Sequence, residues 1–135
     1  MNKQKFEELK NYVGKKITWT GDNCQSKLME LSILYSNCIN TFTTESLELE
    51  DISIKLKELT AELWEHYKFN ADHRWDTKQE IETQMYRDVR FRTLTAEYNE
   101  QKAITDYLGR VFEMIKSTQY AIKSYMDWEK FKAGN

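Results

Sequence analysis

Residues 22–108 contain neither glycine nor proline. Proline is absent from the whole chain, and the four glycines lie at positions 14, 21, 109 and 134. These two residue types are the strongest local signals for a turn or for the end of a helix. Nothing in the long span between them therefore enforces a turn.

The first half of this span carries a heptad pattern. Twelve positions follow one another in alternating steps of three and four, and ten of them are apolar. Such spacing places the apolar side chains on one face of a helix that packs against another helix. It predicts one helix over residues 24–68, roughly 67 Å long. These positions, which we call the first seam, are Leu28, Leu31, Tyr35, Cys38, Phe42, Glu45, Leu49, Ile52, Leu56, Leu59, Leu63 and His66.

Elsewhere the pattern divides the chain of 135 residues into helices of a single domain. Residues 1–23 are predicted to form a short amphipathic helix, over 3–13, and an irregular connector. Residues 69–87 read as a loop with a short helix near 77–86, and residues 88–135 as a second long helix. The predicted fold is all-α, with two long helices. The second seam consists of Ile104, Leu108, Val111, Ile115, Thr118, Ile122 and Tyr125.

The threonine-rich stretch NTFTTES, residues 40–46, is the weak point of the first long helix. Threonine and serine hydroxyls hydrogen-bond to nearby backbone groups and compete with helical structure. The sequence is compatible with a continuous helix and with a helix that is broken here.

The second seam lies within an unusually wide apolar face. Residues at strict seven-residue spacing, from Tyr107 to Trp128, run beside it. A face wider than a two-stranded seam needs more than one neighbouring helix. The pattern favours self-association beyond a dimer, the alternative being a monomer in which residues 1–23 cover the face. The residues predicted to mediate oligomerisation are Tyr107, Val111, Phe112, Met114, Ile115, Ile122, Tyr125, Met126, Trp128 and Phe131.

Composition and motifs argue against several functions. The formal net charge is −2, so any site for a polyanion must be a local patch. Phosphate-binding glycine loops and hydrolase or metalloprotease motifs are missing, and the spacing of His66 and His73 matches no standard metal site. No catalysis, cofactor or metal is predicted. Charges interrupt every apolar run, and the two cysteines, Cys24 and Cys38, read as buried free thiols of a cytoplasmic protein.

A basic and aromatic cluster is the sharpest functional signal. The sequence MYRDVRFRT, residues 85–93, contains three arginines and one acid, with Tyr86 and Phe91 between them. Single-stranded nucleic acid needs cations for its phosphates and flat rings for its bases. A salt-bridged helix surface is the alternative explanation. The residues predicted to contact DNA are Lys55, Lys57, Lys68, Arg74, Lys78, Arg87, Arg90 and Arg92, whereas the acidic stretch ESLELED, residues 45–51, would face a protein partner.

Four stretches form a distinctive combination: LYS (34–36), the seam leading to LWEHYKF, the Asp88-led start of the last helix and, most specifically, MIKSTQYAIKSYMDWEKFKAGN (114–135). Together they resemble the UvsY family of phage recombination mediators. The resemblance implies a ring-like, heptameric homo-oligomer held together through its C-terminal region. It also implies single-stranded DNA, a RecA-like phage recombinase and the phage single-strand-binding protein as partners, in the infected host's cytoplasm. Where family members can carry late basic residues in the first long helix, this chain has Ala61 and Leu63.

Two functions follow from these observations. The first is a recombination mediator that binds single-stranded DNA without sequence specificity and helps to load a recombinase. The second is a helical scaffold whose partners are proteins only. Salt distinguishes them, because only the first neutralises phosphates and loses affinity steeply as salt rises.

Overall fold

The structure, a computed structural model, describes residues 1–70 and 75–134. These residues form four α-helices: α1 (Lys3–Ile17), α2 (Cys24–Glu65), α3 (Lys78–Arg87) and α4 (Val89–Lys132). A π-helical turn, His66–Asn70, directly extends α2. Among the described residues there is no strand, so the predicted all-α fold with two long helices is confirmed. None of these helices has an apolar stretch long enough to cross a membrane.

Helix α2 runs through the threonine-rich stretch without a break. The hydroxyls of Thr41, Thr43 and Thr44 each donate to the carbonyl oxygen four residues earlier, at 3.0–3.2 Å. They therefore share carbonyls that already accept helical hydrogen bonds, and do not replace the helical pattern. Every position of the first seam except His66 is buried or half-buried, as is every position of the second seam.

The described residues divide into two compact units, and each unit contains part of α2 and part of α4. The first unit comprises residues 1–45 and 104–134. Its core is formed by α1, the first half of α2 and most of α4. The fully buried side chains at its centre are Val13, Leu31, Leu34, Leu108, Val111, Ile115 and Ile122.

The N-terminal helix is longer than the sequence indicated. Helix α1 continues through Gly14 to Ile17, so the predicted end at residue 13 is wrong and the connector comprises only residues 18–23. An exposed glycine inside a helix costs only about 1 kcal/mol relative to alanine. Ile17 packs against the core of the first unit, which favours the additional turn.

Residues 1–23 cover part of the wide apolar face of α4. The rings of Phe6 and Tyr107 meet edge to face with their centroids 5.5 Å apart. Trp19, in the connector, meets Tyr125 in the same way at 5.8 Å. Residues 1–23 therefore cover these two tyrosines within one chain, and the oligomeric state stays a prediction.

The second unit comprises residues 46–70 and 75–103. Its small core consists of Leu63, Ile81 and Met85, with aromatic side chains packed around them. Helix α3 begins with a capping box, in which Thr77 Oγ1 accepts from the Glu80 N–H at 3.2 Å and Glu80 Oε2 accepts from the Thr77 N–H at 3.4 Å. This reciprocal pair fixes the start of the predicted short helix.

Candidate nucleic-acid interface

Asp88 separates α3 from α4 without a glycine or a proline. Its extended backbone ends α3, where its N–H donates to the Met85 carbonyl oxygen at 3.0 Å. Its carboxylate then accepts from the Arg90 N–H at 2.9 Å, which is the geometry of an N-cap. One residue thus caps both helices and brings the last turn of α3 beside the first turn of α4.

The same carboxylate binds the Arg90 side chain. Arg90 Nε and Nη2 donate to the two oxygens of Asp88, each at 3.3 Å. These hydrogen bonds lower the pKa of Asp88 and raise the pKa of Arg90. Arg90 is already paired, so a phosphate would have to compete with Asp88 for it.

A groove of about 520 Å³ lies between α2 and α4 in the second unit. Two of the predicted DNA contacts, Lys55 and Arg90, line it. Three glutamates line it too, so with these two cations its lining has a formal charge of −1, which is unfavourable for phosphates. The acidic residues are Glu58, Glu62 and Glu97.

A second groove, which we call the aromatic groove, lies on another face of α4 and has a volume of about 270 Å³. Its charge is that of Arg92, and no acidic residue is among those that line it. Tyr86 is 62 % exposed and meets Phe91 edge to face, with the ring centroids 5.6 Å apart. An arginine beside an exposed ring suits single-stranded nucleic acid. The lining residues are Tyr86, Phe91, Arg92, Thr95, Ala96 and Asn99.

The other predicted DNA contacts lie in different surroundings. Lys57 and Arg87 are exposed. Lys68 is exposed as well and lies 5.5 Å from the centroid of the Phe69 ring, while Lys78 lies 3.8 Å from Glu82. Arg74 falls outside the described residues. The roles of all eight remain predictions, and among the described residues Arg92 lies with Tyr86 and Phe91 in a groove whose lining has no acid.

The residues predicted to mediate oligomerisation fall into three groups. Val111, Ile115 and Ile122 are completely buried in the core of their own unit. Four others are half-buried against that core: Tyr107, Phe112, Tyr125 and Met126. The remaining three are exposed to between 41 % and 71 %: Met114, Trp128 and Phe131. Only the exposed group offers substantial area to a second copy, and the oligomer remains a prediction.

Within residues 1–70 and 75–134 no three histidine, cysteine or acidic side chains cluster in a way that could hold a metal ion. His73 lies outside this part of the chain. Cys24 and Cys38 are free and buried, and burial raises the pKa of the Cys38 thiol.

Comparison with known proteins identifies the family. Residues 14–135 match the family model described as "Recombination, repair and ssDNA binding protein UvsY". The chain belongs to the UvsY family. The resemblance predicted from the sequence is thereby confirmed over almost the whole chain. No match was found among curated proteins.

Solved structures of the UvsY recombination mediator protein of bacteriophage T4 have the same fold. In one crystal form, the T4 protein is 20 % identical in sequence to this chain, and the two structures align with a TM-score of 0.83 over 98 % of this chain and 99 % of the T4 chain. Another is also 20 % identical, with a TM-score of 0.84 and coverage of 98 % of both chains. A third form is 19 % identical, with a TM-score of 0.80 and coverage of 93 % and 98 %. At this identity the similarity establishes the fold.

The sequence interpretation missed three lining residues of the aromatic groove: Thr95, Ala96 and Asn99. They follow Phe91 and Arg92 at helical spacing, so projecting the start of α4 onto a helix would have placed them on one face. That signal was available in the sequence, but the position of Tyr86 beside them depends on the cap at Asp88.

Proposed function

We propose that this chain is a recombination mediator that binds single-stranded DNA without sequence specificity. In this role it helps to load a RecA-like phage recombinase onto DNA covered by the phage single-strand-binding protein, in the cytoplasm of the infected host. The observation that carries the proposal is the family match over residues 14–135. The aromatic groove supports it, because its lining contains Arg92 and aromatic rings but no acid, and such DNA requires cations and rings.

No bond needs to be made or broken in this function. The mediator acts through differences in affinity, since a protein that binds DNA in a conformation suited to the recombinase shifts the strand towards that conformation. We propose a homo-oligomer, a heptamer as the resemblance implies, in which each copy contributes one modest site. Linked sites raise the overall affinity without any new contact, provided that one strand can reach several of them.

A protein partner requires a different surface. Glu48, Glu50 and Asp51 are exposed on α2, whereas Glu45 is buried and lies 3.4 Å from the Met1 ammonium group. We propose the exposed acids as the surface that meets a protein partner. The scaffold alternative would use this surface alone and would not need DNA.

The test is the salt dependence of DNA binding. Fluorescence anisotropy with a labelled oligothymidine should show an affinity that falls as salt rises. The double variant Arg87→Ala/Arg92→Ala should bind more weakly, and its log–log salt slope should be smaller by about 0.7 for each phosphate that is no longer neutralised. Lys3→Ala/Lys5→Ala, which removes two exposed charges from α1, is the matched control and should change little.

Two results would contradict the proposal. If the wild-type protein binds no oligonucleotide even at low salt, the scaffold function is the one that remains. If the arginine variant binds normally, the site lies elsewhere, and the next residues to test would be four exposed lysines in the C-terminal half of α4, namely Lys116, Lys123, Lys130 and Lys132.

A further inference from the structure

The aromatic groove has the shape of a slot built on one face of α4. Phe91, Thr95 and Asn99 follow one another at steps of four residues, and Arg92 and Ala96 lie in the next row. Tyr86, from the last turn of α3, forms the remaining side. Alanine contributes only a methyl group, so the space between the ring pair and the polar end stays open. Its volume of about 270 Å³ is just below the range of about 300–1,000 Å³ that is typical of small-molecule sites.

Thr95 lacks a hydrogen bond that many hydroxyl-bearing residues of the helices make. Eight serine or threonine side chains in or directly after helices donate to the carbonyl four residues earlier: Thr18, Ser32, Thr41, Thr43, Thr44, Thr60, Thr83 and Thr118. Among the described residues, Thr95 Oγ1 is the one buried side-chain oxygen or nitrogen without a hydrogen-bond partner.

A buried polar atom in this state is unfavourable and calls for an explanation. Threonine in a helix populates two χ1 rotamers, so its hydroxyl can turn towards a polar group that enters the groove. The amide of the exposed Asn99, one turn further along α4, both donates and accepts hydrogen bonds. The groove thus combines an exposed ring at one end with two groups able to hydrogen-bond at the other.

We infer that the aromatic groove takes up a single unstacked nucleobase, an inference that rests on the proposed function. The face of the base lies on the exposed Tyr86 ring, its polar edge meets Asn99 and Thr95, and the adjoining phosphate is neutralised by Arg92. Because an amide and a hydroxyl can each act as donor or acceptor, every base can be accepted. A slot of this kind therefore binds bases without reading sequence.

Contacts to bases can be distinguished from contacts to phosphates by comparing an ordinary oligonucleotide with an abasic one. The probes are a labelled oligothymidine and a phosphodeoxyribose oligomer of the same length without any bases. Loss of one base–aromatic stack weakens binding by about 5- to 150-fold. The wild-type protein should prefer the oligothymidine by at least the lower figure.

Two variants should abolish this preference. Tyr86→Ala removes the ring, and Ala96→Leu fills the slot without changing charge or aromatic content. Both should weaken oligothymidine binding by about 5- to 150-fold and leave binding of the abasic oligomer and the salt slope unchanged. The controls are Tyr12→Ala, an exposed tyrosine of α1, and Ala103→Leu, an exposed alanine one heptad further along α4; both should keep the preference. Circular dichroism checks that all four variants are folded.

The outcomes distinguish this inference from the proposed function. If the wild-type protein binds neither oligomer, the proposed function itself fails. If it binds both equally, it contacts phosphates only, and the base slot is refuted while DNA binding stands. If it prefers the oligothymidine but both variants keep the full preference, the bases bind elsewhere and the slot is again refuted. Loss of the preference in both variants and in neither control supports the slot.

Discussion

At Gly21, the addition of a single methyl group should destabilise the first unit. A Cβ atom added there would overlap the Tyr125 hydroxyl and lie 2.9 Å from Cζ and 3.2 Å from Cε1 of the same ring. Gly21 does not have a positive φ, so alanine could adopt its backbone conformation without strain. The requirement for glycine at this position is therefore one of space.

The Tyr125 ring has limited freedom to move aside. It packs against the core of the first unit and meets Trp19 edge to face. Forcing an additional carbon into a packed site typically costs about 1–3 kcal/mol. We expect Gly21→Ala to destabilise the protein by about that amount. With a urea m-value of about 1–3 kcal/mol/M, the midpoint should fall by an amount on the order of 1 M.

Urea denaturation followed by circular dichroism measures the effect, at one fixed protein concentration because self-association would add to the apparent stability. Gly14→Ala and Gly109→Ala are matched controls, since a Cβ at either helical position meets nothing within 4 Å. Both should stabilise the protein by about 0.5–1 kcal/mol. In a Tyr125→Leu background the added cost of Gly21→Ala should nearly disappear. A Gly21→Ala protein as stable as the wild type, or an equal loss in both backgrounds, would refute the steric reasoning.

Two further predictions concern α4. Trp128 and Phe131 are exposed, and their rings stack with the centroids 5.7 Å apart. Replacing both with alanine should lower the solution mass measured by light scattering while helical content is kept. Met29→Ala, at another exposed apolar residue, is the control, and an unchanged mass in the double variant would show that the pair does not mediate assembly. Asp88→Ala removes a helix cap and should cost about 0.5–2 kcal/mol near neutral pH. Because the folded-state pKa of Asp88 is lowered, its carboxylate stabilises the protein above the unfolded pKa of about 4, and this stabilisation is lost as the pH falls through the lower folded value. The difference in melting temperature from the wild type should therefore shrink in acid, and an undiminished difference at about pH 2 would contradict this role.

Heptad spacing predicted the long helices well because it reports directly on burial. Every member of the second seam and all but His66 of the first are at least half-buried. The end of α1 was predicted less well, since Gly14 was read as a break. Its cost as an exposed helical glycine is small, and the packing of Ile17 that outweighs it is a tertiary contact absent from local sequence.

The candidate site was only partly predictable for a similar reason. Counting charges identified the cluster at residues 85–93 but treated its arginines as equivalent. Arg90 is bound to Asp88, a local cap that an aspartate two residues earlier could have suggested. Of the three glutamates that line the groove with Lys55, Glu58 and Glu62 follow it on α2 at three and seven residues, so helical spacing could have revealed them. Glu97 belongs to α4, and spacing along α2 does not reveal it.

The two buried cysteines have a practical consequence for measuring motion. Both lie in the core of the first unit, and the raised pKa of Cys38 leaves little of the reactive thiolate near neutral pH. Alkylation must wait until that core opens, so its rate, measured with a small thiol reagent, reports how often the core exposes its interior. The aromatic groove contains no cysteine. Alkylation of the native thiols can therefore report the opening rate of the first unit while oligonucleotides are bound to the second.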